Sequence, residues 1–254
     1  MIVCLAGMGR SGTSLMASYF RHCGVSMGDR LLGARFNNPR GHFEDQDFLD
    51  FHKALLVENG ADMYSPKKNM MVSDKMRDKA KSIITNRAEL GEPWGWKEPR
   101  TSLFLDLWGE LLPEAKFVFM YRNAYANMES LYRIIHKRYI YLTPWVVPGA
   151  WMHYNECCLA FHEKNPGRSV FVSIEGFNSS HESSTQILGN WLDYEFESPY
   201  TDVYRPKDMG CGKVARKSFP MNIYLPAIKL LYGKKIDAIT ERIDNLALVP
   251  YAGV

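Results

Sequence analysis

Ile2-Val-Cys-Leu-Ala-Gly7-Met-Gly9-Arg10-Ser11-Gly12-Thr13-Ser14-Leu-Met16 begins as an apolar run, passes through three glycines and enters a helical pattern. The run Ile2–Ala6 is short and β-prone, and beyond the glycines Leu15, Met16, Tyr19, Phe20 and Cys23 share one helical face. Gly24 stands where such a helix would end. The stretch therefore predicts strand, glycine-rich turn, helix. Small residues let successive backbone N–H groups converge, and a helix N-terminus adds a dipole that favours an anion. The glycine spacing matches the phosphate loop G-x-x-x-x-G-K-[ST], except that Thr13 stands where the lysine belongs and the cation is Arg10, inside the loop. A nucleoside triphosphate enzyme needs that lysine at the β- and γ-phosphates. This loop is expected to hold a phosphate without serving an ordinary ATPase.

Working outward, Trp94–Lys97 predicts a second strand and Thr101–Leu111 a helix that Pro113 stops. Lys116–Tyr121 reads as a fully buried strand with Arg122 at its carboxyl end, followed by a helix to about His136. Ser169–Ile174 predicts another strand, Asn178-Ser-Ser180 a turn, and Glu182–Tyr194 a helix. Strands alternating with helices imply an α/β fold with a central parallel sheet flanked by helices, similar to the phosphate-loop nucleotide hydrolases. Neither a repeat nor a linker divides the chain, so residues 1–254 are read as one domain. Two segments break the alternation. Residues 25–43 are rich in Gly, Asn, Arg and Pro before an acidic, then apolar helix over 44–58, and residues 137–151 carry two prolines and several aromatics. Insertions at strand ends are where α/β proteins build binding sites.

Composition narrows the class. The 254 residues are 46% hydrophobic and 23% charged, ordinary globular values that exclude collagenous, coiled-coil and disordered chains. A net charge of +3, from 31 basic and 28 acidic side chains, does not call for a nucleic-acid partner. No apolar stretch approaches the roughly 18 residues a membrane span needs. The run at Met1 leads straight into a strand, so no signal peptide is expected. Five cysteines without a CxxC pair suggest reduced thiols in the cytoplasm, and the seven histidines show no metal-ligand spacing, so no metal is expected.

Gly9-Arg-Ser-Gly-Thr-Ser14 resembles the 5′-phosphosulfate loop of sulfotransferases that use 3′-phosphoadenosine-5′-phosphosulfate. The resemblance implies that Arg10 contacts the transferring sulfuryl group and that Gly9, Ser11, Gly12, Thr13 and Ser14 cradle the 5′-phosphate. The family's second signature is an arginine ending a strand, with a serine eight residues on, and Arg122 and Ser130 match it as ligands of the 3′-phosphate. Ala124 replaces the family's usual proline. Gly41–Asp45 and Trp96–Arg100 are similar to segments of bacterial members acting on small or lipid-like acceptors. The loop Gly210–Arg216, with Gly212 and Lys213, either adds contacts to the 3′-phosphate or is an ordinary surface loop.

Sulfuryl transfer needs alignment, charge stabilisation and a base for the acceptor's proton. Lys97 and Arg100 are candidate cations beside Arg10. Candidate bases are His42, Glu44, Asp45 and Glu98; Glu44 is favoured, Glu98 is the alternative, and Asp45 also suits a helix cap. Tyr139, Tyr141, Trp145 and Trp151 either cover a hydrophobic acceptor or pack against the core or a homodimer partner. A phosphate-loop kinase or nucleotidase is the rival reading. It lacks the loop lysine, and Glu175 is the one carboxylate placed to hold Mg²⁺. A nucleotide-binding protein without turnover is the other.

Overall fold

The computed structural model describes residues 1–33, 41, 43–64, 66–89, 91–135, 144–205 and 219–253, with side chains in the last stretch from Tyr224 onward. Five parallel strands, β1 (Ile2–Ala6), β2 (Trp94–Lys97), β3 (Lys116–Tyr121), β4 (Ser169–Ser173) and β5 (Ala247–Val249), form one sheet in the order β2-β1-β3-β4-β5. The helices among the described residues are α1 (Thr13–His22), α2 (Gln46–Glu58), α3 (Asp74–Ala88), α4 (Leu105–Leu111), α5 (Ala124–Ile134), α6 (Val146–Lys164), α7 (Ile174–Ser179), α8 (His181–Leu192) and α9 (Phe219–Leu246). The α/β architecture expected from the sequence is the one observed.

Strand pleating sorts the apolar residues into two layers. Val3, Leu5, Val118, Met120, Val170 and Val172 face α1, α7 and α8. Cys4, Ala6, Trp96, Phe117, Phe119 and Phe171 face the larger set α2 to α6 and α9. Burial on both sides explains why β3 reads as continuous hydrophobic sequence rather than as an alternation.

Several boundaries differ from expectation. Pro99 starts a 3₁₀ turn over Pro99–Leu103, and Phe104, at φ −133°, separates it from α4, so the helix expected from Thr101 is two elements. The turn expected at Asn178–Ser180 is largely α7, whose N-cap Ser173 accepts from the Gly176 amide at 3.2 Å. The following helix ends at Leu192, where Asp193 takes the left-handed conformation at φ 56°. Trp145 and Trp151 belong to α6 and its N-cap: Trp151 packs into the core and Trp145 stays 40% exposed. Tyr139 and Tyr141 lie outside the described residues. Helices α3, α6 and α9 and strand β5 add to the elements expected from the sequence. Helix α3 is strongly polar, and α6 is buried along much of its length, so neither shows a clean apolar stripe.

Candidate functional site

The strand order reverses between β1 and β3, since β2 lies on one side of β1 and β3 to β5 extend on the other. In open α/β sheets ligands bind at the carboxyl ends of strands at such a switch point. The glycine loop follows β1 there and Arg122 follows β3. Sequence patterns written about 110 residues apart therefore share one crevice.

Two glycines of the loop are sterically required. A Cβ on Gly7 would lie 2.2 Å from the Met120 carbonyl oxygen, and one on Gly12 would lie 2.5 Å from Ile174 Cγ1. Both also have positive φ, +127° and +91°. The Gly7 amide donates to Ser102 Oγ at 2.9 Å, and Ser11 Oγ donates to the Met8 carbonyl at 2.6 Å. Helix α1 begins without a side-chain cap and without an acidic residue in its first turn. The positive end of its dipole thus faces the loop uncompensated by a carboxylate.

Arg10 has a left-handed backbone at φ 72° and is half-buried. Its Nε donates to Ser130 Oγ at 3.0 Å, which brings together two residues of the expected donor site. Burial, then repulsion from Arg122 and Arg133, lowers the pKa of Arg10, so the crevice concentrates positive charge where an anion would be welcome. Arg122 itself lies 3.4 Å from Glu175 Oε1, which also accepts from the Asn123 amide at 3.2 Å. Asn127, one helical turn before Ser130 on α5, donates from Nδ2 to the Gly9 carbonyl at 3.2 Å. Its Oδ1 is buried without a hydrogen-bond partner among the described residues. The i, i+3 spacing to Ser130 was the signal in the sequence that could have singled it out. Ser102 and Arg133 had no such signal.

The carboxyl end of β2 supplies the second charged group. Lys97 is buried, and its Nζ lies 2.8 Å from Glu44 Oε1. Burial lowers the Lys97 pKa, and Glu44 opposes that shift. Asp45 caps α2 by accepting from the Asp47 amide at 2.8 Å and pairs with Arg87 at 2.6 Å, a structural part. Glu98 is fully buried. Its burial favours the neutral acid, but the adjoining Arg100 guanidinium and His52 outweigh that and hold its pKa below the ordinary carboxylate value. Trp108 Nε1 donates to His52 Nε2 at 2.9 Å, so the ring's proton is on Nδ1, 3.0 Å from Glu98 Oε2. Glu98 is thereby an enclosed anchor for Arg100, without the access a base for an incoming hydroxyl requires. His42, Gly212 and Lys213 lie outside the described residues.

No protein-family model matches the sequence, and no curated protein matches it significantly. Solved structures do resemble it. The sulfotransferase domain from the curacin biosynthetic pathway superposes with TM-score 0.53 at 16% identity, covering 88% of this chain and 85% of that one. The sulfotransferase STF9 from Mycobacterium avium gives TM-score 0.53 at 10% identity, covering 93% and 76%. The sulfotransferase domain from the Synechococcus PCC 7002 olefin synthase gives TM-score 0.53 at 16% identity, covering 83% and 79%. The chain has the sulfotransferase fold.

Proposed function

We propose that this protein transfers a sulfuryl group from 3′-phosphoadenosine-5′-phosphosulfate to a hydroxyl or amine of a small-molecule acceptor, releasing 3′,5′-ADP in the cytoplasm. The observation that carries the reading is the meeting of the loop cation Arg10 with Ser130 and the field of Arg122 at the switch point. The cradle fits the donor's anionic phosphosulfate: two positions where only glycine fits and an uncapped helix N-terminus.

In this reading Gly9 to Ser14 hold the 5′-phosphate, and Arg122 and Ser130 take the 3′-phosphate. Arg122 then exchanges its Glu175 contact for the phosphate. Glu44, held by Lys97 at the strand end, accepts the acceptor's proton as the new sulfur–oxygen bond forms. Arg10 and the loop amides meet the charge left on the 5′-phosphate when the old sulfur–oxygen bond breaks. Lys97 contributes charge to the transferring oxygens from the side of β2. Glu175 is engaged by Arg122 and the Asn123 amide, an arrangement that does not favour the Mg²⁺ role a kinase would give it. The test is calorimetry with 3′,5′-ADP, 5′-AMP and ATP. Clear preference for 3′,5′-ADP is expected; equal affinity for 5′-AMP overturns the assignment.

A further inference from the structure

Resting on the sulfuryl-transfer reading, we propose that Asn127 recognises the ribose of the donor, its Oδ1 accepting a hydrogen bond from the 2′-hydroxyl. Asn127 is 1% exposed, and its Oδ1 has no hydrogen-bond partner among the described residues. Buried acceptors are nearly always paired, so an orphan beside a ligand crevice marks a place for a donor group on the ligand. The orientation of the carboxamide is set by its other end. Only an NH2 can face the Gly9 carbonyl, 3.2 Å away, so the oxygen lies on the opposite side of the group.

Two hydrogen bonds and a spacing locate that oxygen between the expected phosphate sites. Asn127 Nδ2 touches the glycine loop, the expected seat of the 5′-phosphate. Ser130, the expected partner of the 3′-phosphate, follows one turn later on the same face of α5. Arg10 starts beside Gly9 and ends at Ser130, where its Nε donates to Oγ at 3.0 Å. Its side chain therefore spans the stretch of α5 on which Asn127 lies. When Ser130 passes to the 3′-phosphate and Arg10 to the 5′-phosphate, that stretch is cleared. The ribose enters it, because the ribose joins the two phosphates.

A carboxamide oxygen then selects among the donor's groups. The phosphosulfate and the 3′-phosphate present acceptor oxygens, which it cannot bond. The adenine amine lies beyond the glycosidic bond, away from both phosphates. The 2′-hydroxyl sits on the ribose carbon next to the one carrying the 3′-phosphate, so a phosphate at Ser130 brings it to the neighbouring turn. The acceptor's own hydroxyl belongs elsewhere, at Glu44 beside Lys97 of β2, and β2 and β3 flank β1 on opposite sides.

The experiment is titration calorimetry on the full chain with 3′,5′-ADP and 2′-deoxyadenosine 3′,5′-bisphosphate, for the wild type and Asn127→Leu. The wild type is expected to bind the deoxy nucleotide about five- to tenfold more weakly, the scale of one hydrogen bond to a buried acceptor. Leucine keeps the size of the side chain and removes the acceptor, so in Asn127→Leu the ratio of the two affinities should fall to about one. Loss of the Gly9 contact lowers both affinities alike and cancels in that ratio. Equal affinities in the wild type overturn the inference, and this comparison needs no variant to fold. A ratio that persists in Asn127→Leu overturns it as well, since the preference would then come from sugar conformation or another residue. Failure of 3′,5′-ADP itself to bind would refute the donor reading, and the inference falls with it.

Discussion

Arg122→Ala offers the sharpest quantitative test of the donor site, because the same guanidinium already has a partner. In the free protein its Nε lies 3.4 Å from Glu175 Oε1, and both side chains are partly exposed, at 24% and 19%. Such a half-exposed contact is worth about 0–1 kcal/mol. A charge-assisted bond to a phosphate contributes about 1.5–3 kcal/mol. Binding exchanges the first for the second, which leaves a net gain near 1.5 kcal/mol and predicts about tenfold weaker 3′,5′-ADP binding in Arg122→Ala. The 5′-AMP affinity should stay unchanged, since its single phosphate sits in the glycine loop. Glu175→Gln keeps an acceptor for the Asn123 amide and removes the competing charge, so it should tighten 3′,5′-ADP by about two- to threefold. Titration calorimetry on both variants and the double variant gives the cycle. Unchanged 3′,5′-ADP affinity in Arg122→Ala, or equal losses for both nucleotides, would refute the placement of the 3′-phosphate.

Arg10→Ala should lower kcat by about 10²–10³, more than it weakens binding of the intact donor, because its charge is needed most as the leaving oxygen becomes negative; a KM effect alone, in steady-state kinetics, would make it a binding group. Glu44→Gln should cost about 10²–10⁴ in rate, read on the folded enzyme, and should also lower the melting temperature, because it leaves the buried Lys97 with an uncharged partner. Glu98→Gln should destabilise the fold by about 3–5 kcal/mol, since it leaves Arg100 with its buried partner uncharged, while turnover of the folded fraction persists; selective loss of turnover in Glu98→Gln would move the base. Turnover should survive EDTA, because Arg10 and Lys97 supply the positive charge; complete, Mg²⁺-reversible loss would favour the kinase reading. Burial raises the Tyr19 pKa to about 12 from its ordinary value of 10.0, so its stabilising neutral form is fully present below pH 10 and lost as pH rises through about 12. The melting temperature should fall less steeply across that window in Tyr19→Phe, and identical slopes would show that another group carries the effect.

The chain's local patterns determined the strand–loop–helix at residues 2–22 and the buried strand ending at Arg122. These were legible because glycine placement and an uninterrupted apolar run are local consequences of backbone sterics and of burial on both faces. The Asp45 cap was legible for the same reason, as a side chain satisfying an amide two residues on. What only the tertiary structure decided is which charges meet. Glu44 and Glu98 look alike in sequence, each a carboxylate just ahead of a helical segment. Folding leaves Glu44 beside Lys97 at the strand end and encloses Glu98 with Arg100 and His52. Asn127 reaches Gly9, and Ser130 reaches Arg10, only because the sheet order sets β3 next to β1. Long helices such as α6 were not legible because a helix buried on most sides loses the periodic contrast by which amphipathic helices are recognised. Local sterics act within a few residues, whereas desolvation and Coulomb interactions depend on neighbours that only the assembled sheet supplies.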